Sequence, residues 1–178
     1  MKKLISIILT IVCLLCFIGC EDVEKTEDSF GKMPKEMPDD FSFSLTWGCY
    51  GISSYDSATG KLVKTTDATN PEDYVTYYEL SDEEKQLIYD KIRSLNPKSY
   101  PDEYDPHFNE SSSPSMTLIL SVNVSGKQKT IKAEDISYSY SSLKIKGQKF
   151  LTACKDISDL LKDTDEWKAL PDYEFYYD

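Results

Sequence analysis

The chain has 178 residues, of which 40% are hydrophobic and 29% are charged, and its formal net charge at pH 7 is −11. This length is enough for one domain with its own hydrophobic core. The excess of negative charge argues against nucleic-acid binding, which depends on the neutralisation of phosphates, and against adsorption to an anionic lipid surface.

The N-terminal residues have the pattern of an export signal. Lys2 and Lys3 precede an almost uninterrupted apolar run, residues 4–18, and a single glycine separates this run from Cys20. A basic start, an apolar run of this length and a small residue before the cleavage point indicate a secretory signal peptide. The run is shorter than the roughly 20 residues that span the hydrocarbon core of a membrane. We therefore predict that residues 1–19 are a signal peptide.

The end of this segment, Phe17-Ile18-Gly19-Cys20, resembles the lipobox of bacterial lipoproteins. The resemblance implies cleavage after Gly19, a diacylglycerol thioether on the sulfur of Cys20 and an acyl chain such as palmitate on its new amino group. Buried acyl chains stabilise membrane attachment by roughly 0.8 kcal/mol per CH₂ group. The implied location is the extracytoplasmic face of the cell membrane. An ordinary signal peptide that leaves a free Cys20 is the alternative.

Residues 20–40 are predicted to form a flexible acidic linker. Eight acidic residues stand against three lysines in this stretch, and its few apolar residues show no period. A flexible chain of about 20 residues has a root-mean-square length of roughly 25 Å. Loss of Lys2 and Lys3 with the signal changes the net charge from −11 to −13, so the lipid is expected to be the membrane contact.

The folded domain is predicted to span residues 41–178 and to begin with strands. Apolar and small polar residues alternate over residues 41–49, which is the period of a half-buried strand. Turn-forming residues at 56–60 lead to a returning strand at 61–66. Residues 74–80 are rich in Tyr, Val and Thr and are predicted to be a further strand.

The sequence Ser81-Asp82-Glu83-Glu84 is a capping box, which predicts the start of a helix. This helix is expected to run to Leu95, because Asn96-Pro97 is a stop signal. The apolar residues at helical spacing are Leu87, Ile88, Ile92 and Leu95.

A hairpin and a second helix are predicted to follow a long loop. Residues 116–124 alternate, Ser125-Gly126 is a two-residue turn signal, and residues 127–133 are expected to pair back. Residues 135–146 are compatible with a loop or a short strand. Residues 147–162 have apolar residues at the spacing of an amphipathic helix. The order of elements lacks βαβ alternation and predicts a two-layer α+β fold, with an antiparallel sheet of about four to six strands and two helices on one face.

The loop between the first helix and the hairpin concentrates polar residues that suit a cation or acid–base chemistry. They are Asp102, Glu103, Asp105, His107, Asn109 and Glu110. The spacing lacks the EF-hand pattern, and the single His of the chain excludes a two-His zinc motif within it. A general base at His107 would support a hydrolytic or metal-assisted enzyme, but no catalytic Ser or Cys signature accompanies it. We therefore expect a solvated acidic loop that holds no metal or cofactor and has no catalytic role.

Cys49 and Cys154 are the two cysteines within the domain. Cys49 lies on the apolar face of the first strand, and Cys154 lies on the apolar stripe of the last helix. Both are therefore expected to point into the core. Export would permit a disulfide between them, and its loop of about 100 residues would stabilise the fold by several kcal/mol. Buried free cysteines behave as small hydrophobic residues. The pattern favours two buried thiols and leaves a disulfide or a thiol redox role as alternatives.

Aromatic residues supply the main indication of binding within the domain, because the chain has 13 Tyr, 7 Phe and 2 Trp. Tyr is enriched at binding surfaces, since it combines a large contact area with a polar tip. The candidate binding surface consists of Tyr74, Tyr77, Tyr78, Tyr173, Tyr176 and Tyr177. The alternative is that these rings cover the open face of the sheet or the edges of the core.

Three segments are similar to small uncharacterised lipoproteins of Gram-positive bacteria: Trp47-Gly48-Cys49-Tyr50-Gly51, Tyr55-Asp56-Ser57-Ala58-Thr59-Gly60-Lys61-Leu62 and Glu166-Trp167-Lys168-Ala169-Leu170-Pro171. This resemblance implies a location and supplies no mechanism. We expect a lipid-anchored binding or interaction module whose partners are the membrane, through Cys20, and a protein or cell-wall ligand. An enzyme centred on His107 and a redox role for the thiols are the competing hypotheses.

Overall fold

Six strands of the computed structural model form a single antiparallel sheet in the order β4-β3-β2-β1-β5-β6. The strands are β1 (Ser42–Cys49), β2 (Gly51–Asp56), β3 (Lys61–Thr65), β4 (Asp73–Tyr77), β5 (Met116–Val124) and β6 (Lys127–Ile136). The helices are α1 (Asp82–Leu95), α2 (Ile145–Lys162) and the short α3 (Asp165–Lys168). The predicted α+β fold, with an antiparallel sheet and helices packed on it, is confirmed.

The structure describes residues 30–49, 51–65, 73–108, 110, 112–137 and 143–172. The predicted signal peptide, Cys20 and the tail residues Tyr173, Tyr176 and Tyr177 lie outside these residues. Among the described helices, none is both long and apolar enough to cross a membrane.

Alternation along β1 and β5 creates the two faces of the sheet. In β1 the buried residues are Phe43, Leu45 and Trp47. In β5 every second residue from Leu118 to Val124 is buried. Antiparallel pairing places Leu45 opposite Leu120 at the centre of the sheet, so the apolar side chains of both strands lie on one face. The helices cover this face, and the burial of large apolar side chains here is the main source of stability.

Strand β2 differs from the sequence prediction, which joined the first strand directly to residues 61–66. Instead, β2 pairs with β1, and the turn after Asp56 connects β2 to β3. Ser53 and Tyr55 of β2 are buried, whereas Ile52 is exposed. Because Ser53 lies on the core face and Ile52 on the solvent face, the strand lacks the apolar alternation that identifies β1.

Helix α1 starts as predicted, because the Ser81 hydroxyl accepts from the Glu84 backbone N–H while the Glu84 carboxylate accepts from the Ser81 backbone N–H. The predicted apolar stripe is partly wrong, since Leu87 is 55% exposed. Tyr89 takes its place in the core with 0% exposure. The buried face is therefore rotated toward Ile88, Tyr89 and Ile92, where α1 meets its neighbours.

Helix α2 starts two residues before the predicted range and buries the predicted stripe, including Phe150, Cys154 and Ile157. Gly147 lies in its first turn against the loop, and a Cβ atom at this position would overlap the carbonyl oxygen of Pro106. Helix α2 contacts both α1 and β1. Trp167 of α3 packs on Trp47 of β1 with ring centroids 5.7 Å apart, which extends the helix layer to the end of the sheet.

Residues 30–40, which we call the N-terminal strap, pack on the domain although the sequence assigned them to the flexible linker. Met33 is only 5% exposed and belongs to the core. The Tyr89 hydroxyl lies 2.9 Å from the Pro34 carbonyl oxygen and 3.2 Å from that of Glu36. The folded domain therefore includes residues 30–40. Phe30, Met33 and Met37 of the strap pack with the hydrophobic core, to which α1 also contributes.

Candidate functional site

The acidic residues of the long loop do not converge on one point. Asp102 pairs with Lys129, and Glu103 lies 3.7 Å from Lys132. Asp105 lies 4.0 Å from the Lys144 ammonium, and a carboxylate oxygen of Glu110 lies 3.9 Å from Nδ1 of His107. Within the described residues, no group of three or more His, Cys, Asp or Glu side chains is placed to hold a metal ion. Asp102, Glu103 and Asp105 instead attach the loop to different lysines, on β6 and at the start of α2.

His107 is fully buried, so the expectation that it is solvated is wrong. Its Nε2 lies 2.9 Å from the Ser137 carbonyl oxygen, which can only accept, so Nε2 carries the proton. The loop is held inward because His107 forms a β-bridge with Leu143 and the Pro106 carbonyl accepts from the Lys144 backbone N–H. A histidine enclosed in this way orders the loop, and its ring is closed to solvent.

Cys49 and Cys154 are free thiols in the structure. Cys154 is completely enclosed, and burial raises the pKa of its thiol above the ordinary value. A reactive cysteine needs a stabilised thiolate in an accessible site, and Cys154 has neither. Cys49 is only half-buried, so the prediction of two buried thiols holds for Cys154 and is wrong for Cys49. Both thiols are free, which gives no support to a disulfide, and the enclosure of Cys154 gives none to a redox pair.

The described tyrosines of the candidate binding surface are divided between different environments. Tyr74 pairs with the buried Lys64 and shares its face of the sheet, toward the helices. Tyr78 is half-buried and donates to a Glu84 carboxylate oxygen at 2.7 Å. Burial and this hydrogen bond raise the pKa of Tyr78 to about 12. Only Tyr77 among these three is strongly exposed, and it lies on the opposite face of β4.

The face that carries Tyr77, which we call the open face, is the face of the sheet that points away from the helices. It contains a shallow depression of about 460 Å³, the open-face groove, across the middle of the sheet. Hydroxyl and amide side chains dominate its lining: Ser42, Ser44, Thr46, Ser54, Ser121 and Asn123. The sequence prediction missed this groove, since each strand shows only an ordinary polar alternation.

Strand register brings the groove hydroxyls into a regular array. Thr46 lies opposite Ser54 on β2, and Ser44 lies opposite Ser121 on β5. Directly opposed residues of antiparallel strands have Cβ atoms about 4.5–5.5 Å apart. Within the described part of the chain, no side-chain hydrogen bond satisfies the half-buried hydroxyls of Ser42, Ser44, Thr46 and Ser54. Closely spaced hydroxyls are therefore free to bind solvent or a ligand.

An exposed apolar region continues from the groove toward the edge strand β4. Ile52, Val75 and Tyr77 are 45%, 48% and 66% exposed and all lie on the open face. Val63 links this region to the groove, because it pairs with Ser54 on one side and Val75 on the other. Hydrophobic side chains grouped in this way are typical of interaction surfaces.

Strands β1 and β5 carry no charged side chain on the open face. Their positions on this face carry only Ser, Thr, Gly, Ile and Asn, although 29% of the chain is charged. Asp56 and Lys61, which line one end of the groove, lie opposite each other and compensate each other's charge. The centre of the groove is consequently neutral.

No protein-family model matches the chain, and no curated protein matches it at a significant level. The fold and the groove define a two-layer α+β domain with an open, neutral and hydroxyl-lined sheet face. Function must therefore be inferred from the geometry of that face.

Proposed function

We propose that this protein is a lipid-anchored binding module on the extracytoplasmic face of the cell membrane, and that it binds its partner through the open face. The observation that carries the proposal is the placement of Ile52, Val75 and Tyr77 beside the open-face groove on one uncovered face. A solvated sheet face does not need three exposed large apolar side chains together, whereas a binding surface uses them.

The position of the N-terminal strap supports presentation of this face away from the membrane. The strap packs on α1 through Met33 and Tyr89, on the side of the sheet opposite the open face. The remaining predicted linker, residues 20–29, would have a root-mean-square length of about 18 Å if flexible. A lipid on Cys20 would therefore reach the domain from its helix side, so that attachment does not require the open face.

The anchoring part of the proposal is tested by labelling cells with an alkyne analogue of palmitate. The wild-type protein is expected to carry the label and to fractionate with membranes. Cys20→Ala removes the modified sulfur, so it should lose both properties, whereas Cys49→Ala should keep both. A Cys20→Ala protein that is still labelled and membrane-bound would refute a lipid anchor at this residue.

The binding part is tested in the same cells by placing a photoreactive phenylalanine analogue at position 77, with position 87 as the matched control. Tyr77 and Leu87 are both strongly exposed large side chains, but Leu87 lies on α1, away from the open face. Illumination is expected to give adducts with protein or wall material at position 77 and few at position 87. Equal adduct yields at both positions would contradict a binding role for the open face.

A further inference from the structure

The hydroxyls of the open-face groove favour a ligand that both donates and accepts hydrogen bonds. Each Ser or Thr hydroxyl offers one donor and two acceptor positions. Ser44, Thr46 and Ser54 meet around the β1–β2 pair and use none of this capacity within the described chain. The hydroxyl groups of a sugar have the same dual character, whereas carboxylates and phosphates only accept.

The groove offers a strongly charged ligand no uncompensated partner of opposite charge. An anion would meet the Asp56 carboxylate and a protein with a net charge of −11. A cation is attracted by the net charge, but the groove lining offers it only the same carboxylate, which already accepts from the Ala58 backbone N–H at 3.0 Å and has Lys61 opposite it. A neutral ligand incurs neither repulsion nor the cost of removing an uncompensated charge from water.

One row of paired residues crosses the sheet from the groove to the exposed aromatic ring. The row consists of Ser121, Ser44, Asp56, Lys61 and Tyr77, each opposite the next on neighbouring strands. Four strand spacings of about 4.8 Å give this row a length of roughly 19 Å. A surface of this length accommodates several units of a polymer, and a tyrosine ring can pack on the apolar C–H face of a sugar ring.

We propose that the open-face groove binds a neutral glycan chain of the cell wall, with its hydroxyls on the serines and threonines of β1 and β2 and one sugar ring on Tyr77. The inference rests on the proposed binding function and names its ligand class. The groove lies across the face of the sheet and not along its edge, so it does not offer the free backbone groups that an added peptide strand requires.

The test uses the lipidated full-length protein in detergent and three soluble hexasaccharides. They are the neutral N-acetylglucosamine hexamer, the cationic glucosamine hexamer and the anionic galacturonate hexamer. Calorimetric titration is expected to show the tightest binding for the neutral hexamer, with affinity for the charged hexamers at least about ten-fold lower. Equal or tighter binding of a charged hexamer, or no binding of the neutral hexamer, would overturn the proposal.

Variants of the groove separate recognition from folding. Thr46→Val keeps the shape and strand preference of the side chain but removes the hydroxyl, so the affinity for the neutral hexamer should fall about three- to ten-fold. Tyr77→Ala should lower it by a similar factor, and Leu87→Ala, on α1, should leave it unchanged. Circular dichroism of each variant confirms folding. Unchanged affinity in both Thr46→Val and Tyr77→Ala would contradict the assigned contacts.

Two outcomes distinguish this inference from the proposed function. Adducts at position 77 without glycan binding would refute the glycan as the ligand but would leave the proposed binding function intact. Absence of adducts at position 77 would refute both proposals.

Sedimentation tests whether a second copy of the chain occupies the groove. A dimer that Thr46→Glu dissociates would show that the groove is a self-association surface and would overturn the glycan proposal.

Discussion

At the scale of single residues, the two side chains best suited to acid–base and thiol chemistry are enclosed in the core. His107 and Cys154 are both fully buried. His107 donates to the Ser137 carbonyl, and Cys154 lies within the apolar contact between helix and sheet. Both side chains therefore contribute to packing. The polar groups that remain accessible on the open face are mainly the hydroxyls of serine and threonine.

Gly147 tests how tightly the loop that carries His107 is pressed against α2. Gly147→Ala should destabilise the fold by about 1–3 kcal/mol, because the added methyl group must displace the Pro106 carbonyl. Gly31→Ala is the control, since a Cβ atom at position 31 would meet no atom within 4 Å. Urea unfolding measures both changes. Equal free energies of unfolding for the two variants would show that the loop can move away from α2 without loss of stability.

At the scale of elements, the junction between β4 and α1 depends on one carboxylate. Glu84 closes the capping box with Ser81 and also accepts from the Tyr78 hydroxyl at 2.7 Å. Burial opposes ionisation of Glu84, but these hydrogen bonds outweigh it and lower the pKa of Glu84 below its ordinary value. The ionised form is thus the one that joins strand and helix.

Because the pKa of Glu84 is lower in the folded state, its contribution to stability is present above the unfolded pKa of about 4.3 and is lost as the pH falls through the folded value. Glu84→Gln should therefore reduce stability at pH 7 and flatten the loss of stability between about pH 5 and pH 3. Denaturant unfolding across this range measures the effect, with Glu83→Gln as the control. Identical pH profiles for wild type and Glu84→Gln would contradict the assignment.

At the scale of the whole molecule, the N-terminal strap ties distant parts of the fold together. Met33 joins the core, Tyr89 holds two strap carbonyls, and the Asp40 carboxylate accepts from the backbone N–H groups of Ser125 and Gly126 at 3.0 and 2.7 Å. The strap therefore connects α1 with the turn between β5 and β6, which are far apart in the sequence.

Deletion of residues 30–40 should destabilise the domain by about 3–5 kcal/mol, from the lost burial of Met33 and the unsatisfied hydroxyl of Tyr89. The matched control lacks residues 20–29 and keeps the strap, so its stability should equal that of the wild type. Guanidinium unfolding compares the three proteins. A strap deletion without loss of stability would show that the core is complete without Met33.

The sequence predicted the elements whose signals are local. The capping box at Ser81, the alternation of β1 and β5, and the turn at Ser125-Gly126 depend on neighbouring residues, and the positive φ angles of 54° and 72° at that turn agree with its type. The alternation shows that a strand has two faces but does not reveal which distant residues complete either face.

The features that were missed depend on contacts between distant parts of the chain. Met33 joins a core that includes Tyr89 of α1, and His107 is held inward by its bridge to Leu143, just before α2. The open-face groove likewise requires the register of β1 with both β2 and β5. Such pairings leave no periodic signal in the sequence around any one of these residues.

The entry of the chain into the sheet has a mechanical consequence. The chain passes from the strap directly into β1. This strand pairs with β2 through six residue pairs and with β5 through seven. Once the strap is pulled away, a force on the N-terminus would load β1 along its own axis, in shear. Both ladders would then resist together instead of opening one bond at a time. Under the proposed lipid anchor, the domain would therefore bear load through β1 while its open face binds a fixed partner.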